Sequence, residues 1–176
     1  MNVNIGAKIL SISHALDLGC RWVASGFLLA MLALVMLQVV ARYIFDSPPG
    51  WTEEMARYCM IWFGLLGATI SFKSRSDLHI LKPPTTRFAF IHRGAIGVRA
   101  VAIVLFLAPI LWYSLIGPDF EWQRSFLYRH SLMQAESIEM STLLIAIVVP
   151  VFITVIFVHL LARIVESTRP KKPQEE

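Results

Sequence analysis

The chain has 176 residues, 56% of them hydrophobic and 16% charged, with a mean hydropathy of +0.63. Soluble domains carry about a quarter charged residues, so water-soluble globular, disordered and collagen-like classes are excluded. The apolar residues lie in long runs, which predicts an all-α integral membrane protein, a single membrane domain over residues 1–176.

Four spans are expected, at about 22–41, 51–72, 96–116 and 141–161, preceded by an N-terminal segment over 1–19. Trp22 to Ala41 is 20 residues without a formal charge, and at ~1.5 Å per residue it reaches about 30 Å, a bilayer core. This run exceeds the ~7–15 residues of a signal-peptide core and no small-x-small site follows before Arg42, so it is expected to stay as a start-transfer anchor. The second span is apolar from Tyr58 to Phe72, with Trp51 to Arg57 as a polar helical lead-in. Pro109 and Pro150 lie inside the third and fourth spans, where a missing backbone donor predicts a kink. The tail 167–176 is charged, proline-bearing and expected to be disordered.

Positive charge sets the expected topology. Lys8, Arg21, Lys73, Arg75, Lys82, Arg87, Arg93, Arg99, Arg163, Arg169, Lys171 and Lys172 share one side, 12 of the 16 Lys and Arg. The positive-inside rule makes that side cytoplasmic, N-in and C-in, with loops 42–57 and 117–140 outside. The net charge of +4 then reflects orientation; no basic stripe or aromatic platform supports nucleic-acid binding. The outer loop from Phe120 to Met140 and the inner loop with Lys82-Pro83-Pro84 and Phe88-Ala89-Phe90 are expected to carry interfacial amphipathic segments against membrane lipids.

Cys20 and Cys59 fall at opposite membrane faces and are expected to be free thiols. His14, His79, His92, His130 and His159 include only one residue inside a span, His159, so a bis-histidine haem is not expected. No nucleophile elbow, phosphate loop or metalloprotease motif is present. An enzyme, a cofactor and a metal site in this chain are therefore not expected.

The densest polar stretch is QVVARYIFDSPPGWTEEMARY, Gln38 to Tyr58. Asp46-Ser47-Pro48-Pro49-Gly50 predicts a turn, and Thr52 is placed to cap the second helix. Glu53 and Arg57 stand i, i+4 and Glu54 and Arg57 i, i+3, spacings at which opposite charges pair, with Arg42 near the same carboxylates. Arg42, Trp51, Glu53, Glu54, Arg57 and Tyr58 are the candidate site residues. They fit a salt-bridge network, a docking surface for an outside partner, or an ion site. The last is the weakest, since no carboxylate stands in the hydrophobic middle of a span. Gly64, Gly67, Ala68 and Ser71 form a strip of small residues along the second span, a helix-packing face within the chain or against a partner, with a lesser version in Gly26, Ala30 and Ala33.

The run RYIFDSPPGWTEEMARYCMIWFGLLGATISFKSRSDLHI, Arg42 to Ile80, resembles the small permease subunit of TRAP transporters, the DctQ-like family. The shared pattern is Arg-Tyr-x-Phe, a proline-rich turn, Trp-x-Glu-Glu-x-x-Arg-Tyr, then Trp-Phe-x-x-Leu-Gly-Ala and a His-Ile close. The resemblance implies a multi-pass protein of the bacterial inner membrane and a sodium-driven importer of carboxylates. In it this chain would be a scaffold for the large permease subunit and part of the docking surface for a periplasmic binding protein. Sodium and solute would then bind the large subunit. The alternative is a self-sufficient four-helix transporter acting as a homodimer, which would need a membrane-embedded carboxylate.

Overall fold

The computed structural model describes the backbone of residues 3–74 and 89–168, with side chains over 5–74 and 97–166. Of the expected inner-loop segment, residues 82–88 lie outside the described residues, as does the tail from residue 169, whereas Ala89 and Phe90, and Ser167 and Thr168 of the tail expected to be disordered, have helical backbone. Six α-helices are described: α1 (Val3–Ile44), α2 (Gly50–Ser74), α3 (Ala89–Leu115), α4 (Phe126–Ser131), α5 (Leu143–Ala146) and α6 (Val148–Thr168). Among the described residues there is no strand, only an isolated antiparallel bridge between Gln134 and Ser141. Helices α1, α2, α3 and the α5–α6 pair are each long and apolar enough to cross a membrane.

Helix α1 has 42 residues, about 63 Å at 1.5 Å per residue, twice a bilayer core. The segment 1–19, expected ahead of the first span, is thus from Val3 onward one helix with it. Its inward face is a seam with alternating steps of four and three residues. Ser13, Asp17, Cys20, Ala24 and Ala41 are buried on it, and Phe27, Met31, Leu34 and Gln38 half-buried. That 3.5-residue period keeps one stripe of a long helix facing a partner helix. Helix α2 answers with buried Thr52, Cys59, Leu66 and Thr69. The two helices run antiparallel, with Phe27 stacked on Trp62 at 5.1 Å and Lys73 beside Ser13. Cys20, Ala24, Leu66 and Val155 form a small core where α6 joins them, flanked by Trp62, Phe63 and Ile70. Helix α3 packs mainly on α6.

The turns follow their residues. After α1, Asp46 takes a left-handed φ of 51° and the Ser47 N–H donates to the Ala41 carbonyl at 3.2 Å. Thr52 does not cap α2 as expected. The Pro-Pro pair starts the helix earlier, at Gly50, and the Thr52 hydroxyl donates back to the Pro49 carbonyl at 2.7 Å. The fourth span, Leu143–Glu166, runs through Pro150 with a one-residue break at Ile147, where the backbone stays helical but the missing Pro150 N–H leaves the Ala146 carbonyl one turn back without its helical donor. Helix α3 continues through Pro109.

Candidate functional site at the two ends of the helix pair

The outer loop is a folded unit and not one amphipathic helix. Three-residue 3-10 turns at Pro118–Phe120 and Trp122–Arg124 lead into α4, whose first turn is capped by Ser125 accepting the Tyr128 N–H. Gly117 has φ +81°, and a Cβ there would meet backbone atoms at 2.7–2.8 Å, so only glycine fits. Trp122 packs edge-on against Tyr128 and Phe126 against His130. Arg124 pairs with Asp119 and Glu121. The Thr142 hydroxyl meets His130 at both its carbonyl and Nδ1, each at 3.0 Å. The hairpin 134–141 then turns back toward α2.

Glu54 receives that hairpin. Its carboxylate accepts the backbone N–H of Glu136 at 3.1 Å and of Ser137 at 2.8 Å, and the Tyr58 hydroxyl donates to it one helical turn on. Glu54 is buried. Eight residues along the same helix, Trp62 Nε1 donates to the Leu144 carbonyl at 3.1 Å. Together the two contacts tie the loop and the start of α5 to α2.

This arrangement corrects the expected pairing. Glu54 does not pair with Arg57, because two loop amides and a phenol already use its acceptor sites. Among the described residues no ion pair engages Arg42, Glu53 or Arg57, and all three side chains are exposed. Trp51 is also exposed. Of the six candidates, the fold brings Glu54 and Tyr58 together and leaves the other four on the surface at this end.

The opposite, basic end holds a group that inspection of the chain did not assemble. Asp17 is buried on the α1 seam. Its Oδ2 lies 3.1 Å from Arg21 Nε and 3.7 Å from Lys73 Nζ of α2. Lys73 also donates to the Ser13 carbonyl at 2.8 Å, and the Ser13 hydroxyl lies 2.9 Å from His159 Nδ1 of α6. Arg163 donates to the Phe72 carbonyl at 3.2 Å and sits 4.9 Å from the Phe72 ring centroid. The sequence signal for the group was the 3.5-residue spacing that puts Ser13, Asp17 and Cys20 on one line. His159, read from sequence as an interfacial residue, is 3% exposed.

Among the described residues the small-residue strip is only partly covered: Gly67 and Ser71 are half-buried, and Ala68 borders a groove shared with α3 and α6. At Gly64 and Gly67 an added Cβ would meet nothing within 4 Å, and Gly64 and Ala68 are exposed. The same holds for Gly26 on α1. Cys20 and Cys59 are buried free thiols. Among the described residues no group of His, Cys, Asp or Glu is placed to hold a metal ion.

Comparison with known proteins places this architecture. The sequence pattern of "Tripartite ATP-independent periplasmic transporters, DctQ component" matches residues 31–169, most of the chain. Two Haemophilus influenzae proteins provisionally named TRAP transporter small permease protein are 34% identical over 70 residues and 29% identical over 75 residues. Those alignments cover 40% and 43% of this chain, and 44% and 46% of the relatives. The sialic acid TRAP transporter permease protein SiaT of Haemophilus influenzae is 25% identical over 60 residues, 34% of this chain and 10% of that protein. The chain thus spans less than half the length of the curated relatives it matches. No solved structure matches it. With four membrane-capable helices and the family pattern running through them, the chain belongs to the DctQ component family of tripartite ATP-independent periplasmic transporters.

Proposed function

We propose that this chain is the small membrane subunit of a sodium-driven importer of carboxylates. It scaffolds the large permease subunit and offers part of the docking surface for a periplasmic binding protein. It lies in the bacterial inner membrane, N-in and C-in, with the Glu54 end facing the periplasm. Sodium and solute bind the large subunit.

The observation that carries this reading is the division of labour among the polar and small residues. Both buried carboxylates of the helix pair hold structure together, Glu54 a loop and Asp17 two basic side chains. Meanwhile, among the described residues, nothing stands against Gly64 and Gly67 of the strip on α2, and most of the apolar surface of α1 stays uncovered. In lipid, a glycine strip favours close approach of another helix through dispersion, which suits a permanent protein partner. At the Glu54 end, the exposed Arg42, Trp51, Glu53 and Arg57 mix both charge signs with an aromatic anchor, a composition suited to a reversible protein contact.

The test is an affinity pull-down of the chain from mild-detergent membranes, with the recovered proteins identified by mass. A larger hydrophobic permease is expected at one to one, and Gly64→Leu with Gly67→Leu should abolish its recovery while leaving the chain helical. Uptake by liposomes should need both chains, the binding protein and a sodium gradient. Recovery of this chain alone or as a homodimer that transports solute would overturn the proposal.

A further inference from the structure

The outer loop turns two large rings away from the protein. Phe120 is 77% exposed and Trp122 61%, although both belong to a segment closed by its own hydrogen bonds. The N–H groups of Glu121, Arg124 and Ser125 donate to the carbonyls of Pro118, Glu121 and Trp122. Within these turns Asp119 and Phe120 take consecutive left-handed φ angles of 58° and 59°. A residue with a Cβ adopts that conformation at a cost. In water the exposed rings would add a second cost, because their apolar surface would stay unburied. Both costs are offset if the rings enter an apolar medium.

The level of the segment follows from α3. The membrane-capable stretch that contains this helix is Gly97–Phe120, 24 residues, and about 20 residues at ~1.5 Å each fill a hydrocarbon core of about 30 Å. Counted from Gly97, Phe120 and Trp122 therefore leave the core and enter the headgroup layer. Phe120 meets Trp112 of α3 edge-on at 5.3 Å, and Trp112 is itself exposed on the span. The Phe120 ring thus continues an exposed surface of the membrane helix. Arg124 lies 3.4 Å from Asp119 and 2.9 Å from Glu121, so the charges nearest the rings are paired within the loop. Closed backbone hydrogen bonds and paired charges both lower the cost of leaving bulk water. Tryptophan, with an apolar body and a polar N–H, suits the boundary between headgroups and core.

We propose that Phe120 and Trp122 anchor the outer loop in the phospholipid headgroup layer at the Glu54 end of the chain. The anchor is two rings on a strained turn, not the amphipathic helix that the sequence predicts. It fixes the depth of α3, which packs mainly on α6, and holds the loop level with α2, where the hairpin meets Glu54. The inference rests on the membrane embedding of the family and its four spans. It can fail while the scaffold reading stands, and the reverse.

The experiment is tryptophan fluorescence of the full chain in dioleoyl phosphatidylcholine vesicles. Part of the lipid is replaced by phosphatidylcholine brominated either near the headgroup end of the acyl chain or near the bilayer centre. The chain has five tryptophans, so the Trp122 signal is taken as the difference between wild type and Trp122→Phe, which keeps a ring against Tyr128. Shallow bromine should quench that difference signal about twofold more than deep bromine, and aqueous iodide should quench it weakly. Phe120→Asn, a residue that tolerates left-handed φ, should roughly halve the shallow quenching with helicity unchanged. If that variant loses helicity, the wild-type and Trp122→Phe difference decides alone. Strong iodide quenching without bromine quenching would put the loop in water and overturn the proposal. So would stronger quenching by deep bromine, or wild-type quenching in a helical Phe120→Asn. Loss of the bromine quenching when a larger permease chain is reconstituted alongside would give the surface to that protein and overturn it as well.

Discussion

Glu54 and Asp17 are buried carboxylates at opposite ends of the α1–α2 pair, yet their surroundings differ in kind. Glu54 is met by two backbone amides and a phenol, donors fixed in place by the loop and helix that carry them. Asp17 is met by Arg21 and Lys73, long cationic side chains that are themselves partly exposed, and its Oδ1 has no hydrogen bond among the described residues. The first arrangement exchanges water for rigid neutral dipoles and fastens a loop. The second exchanges water for flexible charges and fastens helices, with one carboxylate oxygen left buried without a hydrogen bond among the described residues. A carboxylate thus does different work according to whether its donors belong to the backbone or to side chains.

The largest effect on this contrast should come from the loop itself. Gly117→Ala forces a left-handed residue against backbone atoms and should cost about 3 kcal/mol, read as a lower unfolding temperature in detergent together with proteolysis of 117–140. If the variant matches the wild type, the loop is not a preformed unit. Glu54→Ala comes next. It should raise hydrogen exchange at the Glu136 and Ser137 amides and weaken uptake, while leaving exchange at the basic end of α1 unchanged. Spread of the effect to Ser13 or Asp17 would show that the two ends are coupled.

At the basic end the asymmetry of buried ion pairs gives a sharper expectation. Lys73→Ala removes a cation from a desolvated carboxylate and should cost about 2 kcal/mol, whereas Asp17→Asn deletes the desolvated charge and should cost less than about 1 kcal/mol. Chemical or thermal unfolding of both variants checks the order; the reverse order would mean that Arg21 alone satisfies Asp17. The smallest change in stability belongs to Arg57→Ala, an exposed side chain without an ion pair among the described residues. It should stay within about 0.5 kcal/mol of wild type yet slow uptake when binding protein is limiting. Wild-type uptake would remove Arg57 from the docking surface.

Some of this was legible along the chain and some was not. The apolar runs at Trp22–Ala41 and Tyr58–Phe72 announce themselves because burial in lipid acts on every residue of a segment. The Arg42 to Ile80 pattern likewise lies in one continuous stretch. Pairing of Glu54 with Arg57 looked equally local, at i, i+3, and failed because the competing donors come from residues 82 and 83 positions away. Ser13 and His159, 146 positions apart, meet only through the packing of α1 on α6. Asp17 gave no signal along the chain for a related reason: its burial follows from the seam of α1, which forms only when α1 and α2 pack.

By itself, then, the sequence determined that the chain is four apolar helices in a membrane, where its turns fall, and which family it resembles, since these depend on composition and near-neighbour spacing. The tertiary structure alone decided which charges are buried and by what they are held. It also decided that Gly64 on α2 faces outward, and that two cavities share Phe72. Those outcomes depend on the angle and register at which α1, α2 and α6 pack, and helix packing is set by the summed fit of many side chains at once.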